Sequence, residues 1–251
     1  MKISIDSTTN AVSISDSGIL ATPSYVTRTF EPTVLVRQFS DFFRSSGEFY
    51  EVVSNSGNIT YDAGPVDDRT SGLATLSTVT GVSASAASIR NSNAQQLLRF
   101  GVNQIRFEAK ASLTLGNTGD LAFIRSGIGF FYSQAAGPSD GAFFRCGTYT
   151  GLTTSTNWYC TTIRNGTATN FDTGLPVGTM RRLSIEVNAS ATQVVFRNNG
   201  QIVYTSTTNI PSLTGTNQYM YCGAYISSNS TSAGTNQVLL DYMLLDQYVN
   251  R

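Results

Sequence analysis

A retaining glycosidase holds two carboxyl groups about 5 Å apart, and on a strand that requires acids at alternating positions. In this sequence Glu48/Glu51 and Asp67/Asp68 have the wrong offsets, while Glu108 and Glu186 each stand alone in their runs. The chain contains no histidine, which excludes a Ser-His-Asp triad and any other histidine-dependent mechanism. Tyrosine and arginine remain as groups able to move a proton and to hold a carboxylate, yet no single run gathers Tyr, Arg and an amide. The residues are read as carrying no catalytic set, so the expectation is a protein that is not an enzyme.

Binding chemistry is better represented. Tyr219, Tyr221 and Tyr225 alternate with apolar residues in YMYCGAYI, and Trp158 stands in NWYC. Aromatic rings on one face of a sheet offer flat apolar platforms with polar edges, suited to sugar rings. These four residues are the candidate interaction face, with packing beneath loops as the competing use. Asp67, Asp68 and Asp172 fall short of the oxygen ligands calcium takes, so neither metal nor cofactor is expected. Cys146, Cys160 and Cys222 are odd in number and lack metal-ligand spacing. Cys146 and Cys160 could face each other across a hairpin centred near Thr153, but buried free thiols are the favoured reading.

The elements that must position these residues are strands. Ile105, Phe107, Ala109, Ala111, Leu113 and Leu115 alternate with Arg106, Glu108, Lys110, Ser112 and Thr114, predicting a strand with one core face and one face in water. Leu183, Ile185 and Val187 repeat the pattern. Residues 128–133, 142–150 and 157–164 read as successive antiparallel neighbours. Residues 194–211 form a hairpin at Asn198-Asn199-Gly200. Of two registers, a three-residue loop with Gly200 in the bulge position is preferred, because it pairs Val194 with Tyr204 and Phe196 with Ile202 on one apolar face. QVLLDYMLL, at 237–245, is apolar on both sides apart from Asp241, which predicts a central strand. VLVRQF reads as a strand and the following SDFFRSSGEFY as one helical turn capped by Ser40 or Asp41, and no long helix is predicted. Together these elements predict an all-β, antiparallel two-sheet jelly-roll sandwich.

The 251 residues suit one large domain at 26–251 preceded by an arm at 1–25, whose short alternations KISI and AVSIS are too small for a core of their own. Only 13% of residues are charged and the formal net charge is zero, which gives no electrostatic grip on nucleic acid or on an anionic membrane. The opening MKISIDSTTNAV has no apolar core of a signal peptide, and the expectation is synthesis in the host cytoplasm without secretion. Arginine outnumbers lysine, and its planar fork suits fixed interface pairs.

The series IGFFYS, DGAFFR, NWYCTTIRNGTATNFDTGLPVG, RRLSIEVN, VVFRNNGQIV, TNIP and VLLDYMLLDQYVNR resembles the concanavalin A-like jelly-roll domains of tailed-bacteriophage structural proteins. The likeness covers the second half of the chain, and more loosely the region from FSDFF to LLRF. It implies a place on the virion, with the major capsid protein as partner and assembly as a dimer or trimer. The leading expectation is therefore a decoration or cement protein on the capsid surface. The alternative is a tail-associated module binding a host surface glycan, followed by a polysaccharide-degrading enzyme.

Overall fold

A computed structural model describes residues 2–6, 11–15, 33–42, 49–62, 72–91, 98–132, 138–148, 155–211, 219–228 and 234–250. Its strands are β1 (Lys2–Asp6), β2 (Ala11–Ser15), β3 (Thr33–Ser40), β4 (Tyr50–Ser54), β5 (Asn58–Asp62), β6 (Leu73–Ser77), β7 (Ala86–Arg90), β8 (Leu98–Arg99) and β9 (Gln104–Thr114). They continue with β10 (Ile124–Phe131), β11 (Gly141–Gly147), β12 (Asn157–Arg164), β13 (Thr167–Pro176), β14 (Arg181–Val187), β15 (Val194–Asn198), β16 (Gln201–Ser206), β17 (Tyr219–Ser228) and β18 (Gln237–Asn250). Among the described residues the only helical element is a 3-10 turn at Thr118–Ala122, and no helix is long and apolar enough to cross a membrane. The helical turn expected in SDFFRSSGEFY falls largely outside the described residues. Within them, the Ser40 hydroxyl accepts the Phe42 N–H at 3.3 Å, a local side-chain turn.

The chain divides into two compact units, Met1–Val34 with Asn250–Arg251, and Leu35–Val249. The first carries β1 and β2, an antiparallel pair with Ile3 opposite Ile14 and Ile5 opposite Val12. The expected arm of residues 1–25 lies inside it.

The second unit is an all-β sandwich of two antiparallel sheets. Sheet one runs β13-β12-β11-β10-β17-β7-β4 with β8 also on β17; sheet two runs β16-β15-β14-β9-β18-β6-β5 with β3 also on β18. Their facing sides make one core. Ile105, Phe107, Ala109, Ala111 and Leu113 of β9 and Leu183, Ile185 and Val187 of β14 come from sheet two. Ile128, Phe130, Phe144 and Trp158 come from sheet one. Phe130 sits edge-on to Phe107 and Phe144 to Phe196, with ring centroids at 6.0 and 5.3 Å, so the two sheets interlock through aromatic pairs. β18 is central, between β9 and β6, as its two apolar sides predict.

Two expectations are corrected. The outward side of β9 is not simply wet. Glu108 is buried, accepting hydrogen bonds from Arg106 and from the Tyr242 hydroxyl at 2.7 Å. A bulge between Leu240 and Tyr242 re-aims β18 so that Asp241 meets Lys110 and Tyr242 meets Glu108. The hairpin adopts the other register, with Asn198 opposite Gln201, Arg197 opposite Ile202, and Asn199 and Gly200 both at positive φ, 51° and 83°. That two-residue turn matches the strand twist. The polar-apolar mismatch it creates is harmless because Ile202 is 58% exposed, and a bulge at Val203 then returns Tyr204 to face Phe196.

Candidate functional site

The side of sheet one that faces away from the core holds the chemistry. Strand register orders it in rows. One row runs Asp172, Tyr159, Arg145, Gly127, Tyr225, Ser88, Val52, and the next runs Asn170, Thr161, Phe143, Gly129, Gly223, Arg90, Tyr50. Glycines Gly127, Gly129 and Gly223 occupy the middle, each with no room for a Cβ. A Cβ on Gly127 would sit 2.4 Å from Tyr225 Cε1, so the Tyr225 ring needs a glycine opposite it. Tyr225 also meets Phe131 edge-on at 4.9 Å. The centre of this outward face is buried: Phe143, Arg145, Thr161 and Tyr225 are each at most 2% exposed.

On one flank, three adjacent strands bring together what no single run of sequence contains. Arg145 on β11 lies directly opposite Tyr159 on β12. Its Nη2 donates to Asn170 Oδ1 on β13 at 2.5 Å, and the Thr161 hydroxyl donates to the same oxygen at 2.9 Å. Asp172 on β13 is engaged locally, accepting from Asn157 Nδ2 at 3.1 Å and from the Gly174 N–H at 2.8 Å. It is the one carboxylate that register places on this outward face among the described residues. Among the described residues, the outward face of sheet one thus lacks the acid pair of a retaining glycosidase.

On the other flank, Arg90 on β7 stands beside Tyr50 on the edge strand β4 and across from Gly223 on β17. The Arg90 guanidinium lies over the ring of Tyr221, two residues from Gly223 along β17, with Cζ 4.2 Å from the ring centroid. Tyr50 is 51% exposed, and Tyr221 and Arg90 are half-buried, so this corner of the face is open to solvent. Arg90 Nε is shut off from solvent and finds no hydrogen-bond acceptor among the described residues.

The four residues of the expected interaction face do not share one surface. Trp158 points into the core and is fully buried, because β12 alternates and Cys160 beside Phe144 fixes its inward side. Tyr225 faces outward but is 1% exposed, and the side chain of Tyr219 lies outside the described residues. Tyr221 alone of the four is described as reaching solvent. Arg90, Tyr50 and Arg145 were not singled out by sequence, since their neighbours come from strands far away in the chain. The one signal was a glycine in a tyrosine-rich strand, Gly223, which marks a close approach.

The cysteines are three free, buried thiols. Cys160 pairs with Phe144 rather than with Cys146, so the hairpin register leaves the two sulfurs out of opposition. Burial pushes the Cys146 thiol up to about 12, and raises Cys160 and Cys222 in the same direction. No group of three His, Cys, Asp or Glu that could hold a metal ion occurs among the described residues; Asp67 and Asp68 lie outside them.

No family model and no curated protein matches the sequence. Solved structures do match in shape. A Shewanella oneidensis MR-1 protein of unknown function aligns with a TM-score of 0.60 at 12% identity, covering 86% of this chain and 87% of that one. An endo-β-1,4-glucuronan lyase from the fungus Trichoderma reesei gives 0.54 at 12% identity, over 78% and 89%. An endo-1,3-β-glucanase from Streptomyces sioyaensis gives 0.53 at 12% identity, over 92% and 100%. The fold is the concanavalin A-like jelly roll. At such identities the likeness extends to the fold and not to the activity.

Proposed function

We propose that the protein is a non-catalytic glycan-binding module whose contact surface is the outward side of sheet one. The observation that carries this is the open corner made by Tyr50, Arg90 and Tyr221. There an exposed tyrosine and a tyrosine-stacked guanidinium offer a sugar both an apolar platform and hydrogen-bond donors. The fold supports the reading, since its structural relatives include enzymes whose names specify polysaccharide substrates. A glycan array probed with the whole chain tests it. Binding to at least one polysaccharide is expected, and Tyr221→Ala weakens it about tenfold, the loss of roughly 1.4 kcal/mol. A folded protein that binds no glycan on the array overturns the reading.

The separate unit formed by Met1–Val34 and Asn250–Arg251 favours a second reading, decoration of a phage capsid. A two-stranded piece with its own pairing can add to the sheet edge of a partner such as the major capsid protein. Self-association as a dimer or trimer would then follow the symmetry of the particle. Mass spectrometry of purified heads, separated from tails, tests it: this chain is expected among the head proteins, and its absence there removes the reading.

A further inference from the structure

We propose that the glycan taken by the Tyr50/Arg90/Tyr221 corner is acidic, carrying carboxylate groups as a polyuronate does, and that Arg90 is the residue that recognises the carboxylate. The inference rests on the glycan reading above and adds the chemical class of the ligand.

Charge on the two outward faces is distributed unequally. On sheet two ion pairs of the described residues gather: Asp246 holds Arg37, Asp241 holds Lys110, and Glu108 holds Arg106 with Arg182 at 3.9 Å. On sheet one, Arg90, Arg125 and Arg145 face outward against Asp172 alone among the described residues. Among the described residues, the ion pairs thus lie on sheet two, while arginine exceeds acid on the outward side of sheet one. Such a face attracts an anionic polymer and not a cationic one.

Within that face Arg90 is set apart by its surroundings. Arg145 donates to Asn170 and Arg125 donates to the Thr148 carbonyl at 3.1 Å, so both are engaged with the protein. Arg90 is half-buried and lies over the Tyr221 ring. A guanidinium is a planar fork of N–H donors that can meet a carboxylate with two parallel hydrogen bonds. Glu51, next to Tyr50 in sequence, points to the opposite side and accepts the Tyr61 hydroxyl at 2.7 Å, so it does not answer Arg90.

The test uses the full chain and four probes: polygalacturonate, the same polymer with its carboxyl groups reduced to alcohols, a neutral β-glucan, and dextran sulfate. Affinity electrophoresis and calorimetry at two salt concentrations read the binding. Polygalacturonate is expected to bind, and its reduced form about tenfold more weakly. Arg90→Ala should weaken polygalacturonate binding by about the same factor and weaken binding to the reduced polymer by less. Arg90→Lys, which keeps the charge but not the fork, should recover only part of the loss. Circular dichroism and melting temperature confirm that each variant is folded, and Arg90→Gln replaces Arg90→Ala if the latter unfolds. Equal binding of the polymer and its reduced form overturns the acidic ligand and leaves the glycan reading standing. Binding to none of the probes and to nothing on the array removes both. Polygalacturonate binding unaffected at Arg90, or dextran sulfate bound equally well and independently of Arg90, overturns the assignment of the site.

Discussion

Cys146, Cys160 and Cys222 behave chemically as apolar side chains. Burial raises each thiol above its ordinary value of 9.0, Cys146 to about 12. In the unfolded chain the thiols ionise near 9, so the stabilisation from keeping them neutral is complete below that pH and is lost as pH rises toward about 12. Denaturant midpoints should hold steady up to pH 9 and fall above it, and a thiol reagent at neutral pH should label three cysteines only after unfolding. Rapid labelling of the native protein would show the burial to be wrong. Gly127 offers a second test at this scale. Gly127→Val forces the Tyr225 ring off its seat and should cost about 1–3 kcal/mol in denaturant unfolding. Combined with Tyr225→Ala, the two losses should sum to less than their separate values, because the second change removes the clash created by the first. Residues of this kind are hard to read from sequence. Nothing in SGIGFF says which glycine lies beneath a tyrosine nearly a hundred positions later, whereas the burial of the cysteines follows from their apolar neighbours.

At the scale of elements, strands with one apolar side are legible in both place and facing, whereas strands covered on both sides are legible in place but not in facing. β9 and β14 alternate, so their inward residues were named in full. β11 is buried along its whole length, and GAFFRCG therefore gives no period by which to tell that Arg145 faces outward. The hairpin register was misread for a different reason. Apolar matching was weighed above turn geometry, and the structure satisfies both by moving the bulge to Val203. Gly200, at φ 83°, remains indispensable to the turn. Gly200→Val should destabilise the protein by about 1–2 kcal/mol in thermal or denaturant unfolding, while glycan affinity per folded molecule stays unchanged; a well-folded variant that had lost binding would give the hairpin a contact role. The buried Glu108 makes a further prediction. Tyr242→Phe removes one donor to a carboxylate on sheet two and should cost about 1.5–3 kcal/mol, with Glu108→Gln in the same background recovering part of it.

At the scale of the molecule, the fold class followed from many short strands and turn residues, and the position of β18 from its two apolar sides. What sits beside what in the binding corner did not follow, since Tyr50, Arg90 and Tyr221 are joined only by sheet order. Removing residues 1–34 should leave the melting temperature of the sandwich within a few degrees, because that stretch belongs to the other compact unit. Unfolding of the shortened chain would make the first unit part of the sandwich core.

The central place of β18 governs how the molecule can be made. A ribosome delivers β6 and β9 long before the strand that joins them, and until residues 237–250 emerge each presents an open row of backbone donors and acceptors. The late arrival of this joining strand makes assembly a non-local and slow event, exposed to mispairing between nascent chains. Expression at low temperature or with a holdase chaperone should raise the soluble yield, and a chain stopped before residue 237 should be recovered in the insoluble fraction.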